Sequence, residues 1–112
     1  MRSSPLYLDG NDDEPEITLT RKVAATGLTE AATGLTGLTV RLSATPNGTA
    51  INAALSKSAT ERGTLGVYRA TFEGSDLTAQ LATYAGKDVY QTFGDGLNVN
   101  FTVARRVIGV RP

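Results

Sequence analysis

Residues 38–56 read LTVRLSATPNGTAINAALS. Leu38, Val40, Leu42 and Ala44 alternate with Thr39, Arg41 and Ser43, which is the period-two pattern of a strand with one buried face. Thr45-Pro46-Asn47-Gly48 ends that strand for a physical reason, because Pro fixes φ and Asn-Gly tolerates left-handed backbone. The alternation resumes over Thr49–Ser56 with Ile51, Ala53 and Leu55 on one side, so a hairpin is expected here. A chain whose best-defined local element is a hairpin, and whose other apolar runs also alternate, is expected to be all-β.

The flanking sequence follows the same period. Ile17, Leu19 and Val23 alternate with Thr18, Thr20 and Lys22, predicting a first strand from Glu16. Ala25-Thr26-Gly27-Leu28-Thr29 is repeated as Ala32-Thr33-Gly34-Leu35-Thr36, with Gly37-Leu38-Thr39 as a partial echo. The repetition stops at Thr39, so it is read as a glycine-punctuated connection rather than a solenoid. Beyond the polar loop Lys57–Gly63, Leu65–Glu73 is expected as a strand with Tyr68, Ala70 and Phe72 on one face and Val67 opposite. Asp76 is expected to cap a short helix carrying Leu77, Leu81 and Tyr84, closed by Gly86. Lys87–Phe93 and Leu97–Val103 form a second expected hairpin across Gly94-Asp95-Gly96, with Leu97, Val99, Phe101 and Val103 facing one way. After Ala104 the phase shifts, since Ile108 and Val110 fall opposite Val103. Either a β-bulge at Arg105-Arg106 restores it, or the last segment pairs with a neighbour.

A chain of 112 residues makes one domain, enough to bury about two thirds of its unfolded surface. Hydrophobic residues make up 40% and aromatic ones 6%, with no Trp, so the core is expected to be largely aliphatic. Eleven basic and eleven acidic residues cancel, leaving no net field to gather nucleic acid or anionic lipid. The chain has no His and no Cys, which excludes disulfides, the usual triads, thiolate nucleophiles and His/Cys zinc sites. Carboxylates outside the N-terminal arm (Glu30, Glu61, Glu73, Asp76, Asp88, Asp95) are scattered over expected loops and strand ends. Gly34-Leu35-Thr36-Gly37 and Gly94-Asp95-Gly96 lack the Lys-Ser/Thr of a phosphate loop. No enzymatic activity, cofactor or metal is therefore expected. Met1–Asp13 has no apolar core of a signal peptide and no run is long enough to span a membrane, so synthesis in a cytoplasm is expected.

Residues 1–15 read as an extended acidic arm ahead of a single domain at 16–112. Pro5 and Pro15 disfavour helix, Asp9–Glu16 (DGNDDEPE) carries the acids, and Leu6-Tyr7-Leu8 is the only apolar anchor. Arg105, Arg106 and Arg111 end the chain with no acid after Asp95, so the two ends are electrically complementary. Partner binding is accordingly expected at Leu6, Tyr7, Leu8, Asp12, Asp13 and Glu14, with Arg105 and Arg106 as a candidate receiving surface. Asp9, Asn11 and Asp13 have the spacing of the first ligands of a calcium loop, but Glu14 stands where Gly is required and Thr20 where the bidentate Glu is required. Tyr68, Tyr84, Tyr90 and Phe101 offer an alternative reading, a stacking platform for sugars.

The run Glu61–Phe72 (ERGTLGVYRATF) resembles the strand motif of bacterial and phage immunoglobulin-like domains, in which a glycine precedes a buried tyrosine. That resemblance implies an immunoglobulin-like β-sandwich, or a related small barrel, of roughly seven strands with one short helix. The chain lacks the Cys pair and the Trp of antibody-type domains. Taken whole, a small Thr/Ala/Gly-rich β domain with extended termini resembles a structural protein of tailed-bacteriophage virions. The resemblance implies capsid decoration or cement, or a neck or tail component, made in the host cytoplasm and present in many copies. It also implies other virion proteins as partners, the major capsid protein first, with the arm clamping a neighbour. Deletion of residues 1–15 is then expected to abolish incorporation and leave the domain folded. The alternative is a glycan- or cell-surface-binding module.

Overall fold

The computed structural model describes residues 4–63, 66–97 and 99–109. The fold is all-β with one short helix. Among the described residues ten short strands are distributed over three sheets: β1 (Leu6–Tyr7), β2 (Glu16–Thr18), β3 (Thr20–Lys22), β4 (Thr29–Ala31), β5 (Thr39–Ser43), β6 (Ser56–Ser58), β7 (Thr60–Glu61), β8 (Val67–Arg69), β9 (Asp88–Gly94) and β10 (Asn100–Ile108). The largest sheet has the order β1-β10-β9-β5-β6, antiparallel except that β1 lies parallel to β10. A second sheet has the order β2-β8-β7, and β3 with β4 forms a separate hairpin. The helix α1 (Gly74–Leu81) follows the second sheet.

One core joins these layers. Leu38, Val40 and Leu42 from β5 and its approach, Val89 and Phe93 from β9, and Val107 from β10 meet Tyr68, Ala70 and Phe72 from β8 and the chain after it. Leu77 and Leu81, one helical turn apart, close the core from α1. The strand alternation in Leu38–Leu42 and in Tyr68–Phe72 thus sends the expected side chains inward.

Several local readings change. The Pro46-Asn47-Gly48 turn forms, with Asn47 at φ 56° and a hydrogen bond from Gly48 N–H to Thr45 C=O. The return arm is not one strand: after Ile51 N–H donates to Leu42 C=O, Asn52 Oδ1 caps a single 3-10 turn at Ala53–Leu55. Only then does β6 pair with β5. This detour lets Leu55 enter the core while the backbone steps round the margin of β5. The repeat contains a strand, β4, and its glycines Gly27, Gly34 and Gly37 all take positive φ, 72°, 72° and 76°. Each copy therefore supplies a left-handed turn position that other residues adopt at a cost. Asp76 lies in the first turn of α1 and is not its cap; the helix begins at Gly74, whose N–H donates to Asp12 Oδ1 from the N-terminal segment at 2.9 Å.

β10 has no bulge at Arg105-Arg106 and does not leave the sheet through Ile108. Its pairing with β9 runs without interruption from Asn100↔Gly94 to Arg106↔Asp88. The inward series is Phe101, Val103, Arg105, Val107, so the phase never breaks: a charged residue occupies a core-facing position. Arg105 is only 6% exposed.

The N-terminal arm is part of this fold. Leu6 is fully buried and belongs to the core, Pro15 is buried, and β1 adds to the margin of the main sheet. Asp13 pairs its backbone with Phe72 in both directions, and Ala70 N–H donates to Pro15 C=O, so residues 13–18 run beside residues 67–72 as one pairing. Gly74 marks how closely the arm sits. A Cβ there would lie 2.0 Å from Gly10 carbonyl oxygen, so only glycine fits. Arm and domain share one core, which removes the basis for expecting residues 16–112 to fold alone.

Candidate partner-binding site

The structure brings Leu6, Asp13 and Arg105 together, although 92 residues separate the two charged ones. Arg105 reaches Asp13 bidentately, Nη1 to Oδ2 at 2.6 Å and Nη2 to Oδ1 at 2.8 Å. Its remaining donors are also used: Nη1 to Gln91 Oε1 at 2.7 Å, Nε to Ser4 C=O at 2.8 Å and Nη2 to Pro5 C=O at 3.2 Å. The guanidinium fork fits this arrangement because its planar donors fan out to a carboxylate on one side and carbonyls on the other. A desolvated cation at a core-facing position is tolerable only with such complete pairing. It anchors the arm at both Ser4–Pro5 and Asp13.

The other acids of the arm are also engaged. Asp9 Oδ1 accepts from Asn11 N–H, Asp12 from Gly74 N–H, Glu14 from Thr71 Oγ1 at 3.3 Å, and Glu16 pairs with Arg69 at 2.7 Å. With both Asp13 oxygens on Arg105, the calcium-loop spacing of Asp9, Asn11 and Asp13 does not produce converging ligands. Among the described residues no group of three or more His, Cys, Asp or Glu is placed to hold a metal. Tyr7 and Leu8 are half-buried, Leu8 packing against the core. Arg106 projects to the face opposite Arg105, as strand alternation requires, and pairs with Asp88 at 2.7 Å.

The proposed stacking aromatics are not assembled. Tyr68 is fully buried, its hydroxyl donating to Ala32 C=O and accepting from Leu35 N–H, which pins the repeat segment to β8. Tyr84 packs against the core beyond α1, and Tyr90 pairs across from Ala104 on the outer face of β9. Phe101 alone of the four is open, at 49% exposure.

That exposure marks where the second layer ends. Phe101 stands directly across from Phe93, which is 1% exposed, so the core-facing side of the main sheet extends one strand beyond its cover. The result is a cleft of about 390 Å³ between β10 and residues 13–16, whose lining includes Glu14, Pro15, Glu16, Phe93, Phe101 and Val103. Nearby, Asp95 Oδ1 accepts from Leu97 and Val99 N–H at 2.8 and 2.9 Å, holding a tight loop with Leu97 at its tip, 88% exposed. Sequence alternation had placed Leu97 and Phe101 inward. The Asp95-Gly96 pair after Gly94 was the available sign of a longer loop, since Asp favours this side-chain-to-backbone closure.

Glu61 is a second fixed carboxylate. Gly66 N–H at 2.8 Å and Gly34 N–H at 3.1 Å donate to its two oxygens and hold its pKa below the ordinary glutamate value, against slight desolvation. The folded state therefore favours the charged form. Its contribution is full above the unfolded value, about 4.3, and is lost as pH falls through the lowered folded value. The Gly66 amide resonance should accordingly titrate with a midpoint below about 4.3, and Glu61→Gln should abolish that transition. A wild-type midpoint at or above the ordinary value contradicts the contact.

Among the described residues no helix is long and apolar enough to cross a membrane. No protein-family model, curated protein or solved structure matches the chain.

Proposed function

We propose that this chain is a non-catalytic structural protein of a tailed-bacteriophage particle, docked in many copies on other virion proteins. Capsid decoration or cement on the major capsid protein is the favoured place, a neck or tail position the next. In this reading the protein is made in the host cytoplasm and ends in the virion. The five-stranded and three-stranded sheets sharing one core support an immunoglobulin-like sandwich as the underlying architecture.

The observation that carries the reading is exposed apolar surface on β10 and the loop before it. Phe101 is 49% exposed beside the cleft and Leu97 is 88% exposed at the loop tip. Exposed apolar side chains of this size favour a protein–protein contact. The arm acts in this reading chiefly within its own subunit, because Leu6, Asp13 and Arg105 are spent on the fold. Glu14 remains exposed at the surface for a partner.

The encoding locus and the particle test this directly. Portal, protease or major-capsid genes should flank the gene, and purified particles should contain the chain at a fixed stoichiometry. A locus without virion genes, or particles lacking the chain, contradicts the proposal.

A further inference from the structure

The free side of β10 has a defined polarity. Val107 N–H donates to Lys87 C=O and Val107 C=O accepts from Gly86 N–H, both at 2.8 Å, so odd-numbered residues of β10 turn their backbone groups toward β9. Ile108 C=O instead accepts from Leu8 N–H at 2.9 Å, on the side of β1. By strand alternation Asn100, Thr102 and Ala104 turn N–H and C=O to that same side. β1 covers only Val107 and Ile108. Among the described residues no strand pairs with Asn100–Ala104 there.

This edge, unpaired among the described residues, borders the open cleft. Phe101 and Val103, the odd-numbered neighbours, face into it beside Phe93 and Pro15. Among the described residues the charges around it do not balance. Arg105 is matched by Asp13 and Glu16 by Arg69, whereas Glu14 has only the Thr71 hydroxyl, with no cation in ion-pair reach among the described residues.

We propose that the Asn100–Ala104 edge of β10 receives an extended segment of a partner protein. The segment alternates apolar with polar side chains and carries a Lys or Arg beside its apolar positions. Its backbone pairs with Asn100, Thr102 and Ala104; its apolar side chains enter the cleft against Phe101 and Val103; its cation meets Glu14. A second copy would present the same edge with its own Glu14 unmatched by a cation among the described residues, so charge favours a different, basic strand. This names the contact for the docking reading above and rests on it only for the partner's origin.

The test uses the whole chain, labelled for amide NMR, and two capped peptides: Lys-Val-Thr-Val-Thr-Val-Lys and its counterpart with Glu at both ends. The lysine peptide should move the Asn100, Thr102 and Ala104 amides, and the glutamate peptide should bind more weakly. Ala104→Pro removes an N–H directed at the free edge, leaves the β9 ladder intact and should abolish binding. Glu14→Gln should weaken the lysine peptide by about two- to fivefold, the range of an exposed ion pair. The proposal is overturned if the lysine peptide at millimolar concentration leaves these amides unmoved, or if the folded Ala104→Pro variant binds it equally. Equal binding of the two peptides also overturns it. Concentration-dependent shifts at the edge without peptide assign it to a second copy and overturn the basic-strand assignment. Particles containing the Ala104→Pro variant at wild-type stoichiometry would remove the edge from virion docking while leaving the virion role standing; particles lacking the wild-type chain would remove the role and leave the peptide result intact.

Discussion

Replacing Arg105 with Met should lower unfolding free energy by about 3–5 kcal/mol, the cost of breaking a buried pair from one side. Methionine approximates the volume of the stem, so the loss comes from what is left behind. Asp13 keeps a carboxylate beside the core with no counter-charge, and Gln91 Oε1 and the carbonyls of Ser4 and Pro5 lose their donor. Domains of this size are stable by about 5–15 kcal/mol, so the change consumes a large fraction of the total. Urea unfolding followed by circular dichroism measures it. Adding Asp13→Asn to Arg105→Met should cost less than the sum of the two single changes by about 0.5–3 kcal/mol, because the orphaned charge is gone. A loss for Arg105→Met within the scatter of surface substitutions, about ±0.5 kcal/mol, contradicts the structure.

Removing residues 1–15 should prevent folding. The truncation takes out Leu6, fully buried, and deletion of a buried leucine side chain alone costs about 2–5 kcal/mol. It also strips Asp13 from Arg105, uncovering that cation at about 3–5 kcal/mol, and deletes the backbone pairing of Asp13 with Phe72 and of Leu8 with Ile108. The helix loses the Asp12 carboxylate at its first N–H. These losses together reach the whole stability of an ordinary domain. The residue 16–112 chain should show no cooperative transition and collapsed amide dispersion. A cooperative transition with native near-ultraviolet circular dichroism would show that the arm is an appendage after all.

The consequence for function is practical. A truncation that abolishes incorporation into particles says nothing about docking if the domain has unfolded. Point substitutions at the β10 edge address docking without disturbing the arm.

Alternation located the core strands, though not the turn at Ala53–Leu55 or the exposure of Leu97 and Phe101. Leu38–Leu42 and Tyr68–Phe72 lie in the core as the period requires, Asp88–Gly94 pairs with the chain after the Gly94-Asp95-Gly96 turn, and Asn47 takes the left-handed turn position. These signals are local, set by side-chain period and by Pro, Asn and Gly backbone preferences. The arginine in β10 was not legible in this way. Val103-Ala104-Arg105-Arg106-Val107 reads as a broken hydrophobic phase, because a charged residue at an inward position is ordinarily excluded. The structure resolves it through a carboxylate 92 residues away in sequence, and no local pattern encodes which distant acid will arrive. The Asp9–Glu16 segment misled for the same reason. Its acids seemed to require a separate partner, whereas Asp12, Asp13, Glu14 and Glu16 each find a partner in the chain's own β8, α1 and β10 regions.

The detour at Ala53–Leu55 and the strand β4 were hidden differently. Ala53, Ala54 and Leu55 suit a strand or a helical turn equally, and Asn52 as a cap decides between them only once its side chain is seen accepting from Ala54 N–H at 2.9 Å. Thr29–Ala31 became a strand because Val23 and Leu28 close a turn that lays it on β3. Tertiary pairing overrode a weak local preference in both places.

The central claim is that the acidic N-terminal segment is an integral part of this domain, latched by Arg105, and not a free tether. Amide hydrogen exchange on the dilute, isolated wild-type chain tests it at Leu8, whose N–H donates to Ile108 C=O. The account predicts protection of the Leu8 and Asp13 amides approaching that of Val107 in the core sheet, lost together in Arg105→Met. Exchange of Leu8 and Asp13 at unstructured rates, with Val107 still protected, would contradict it.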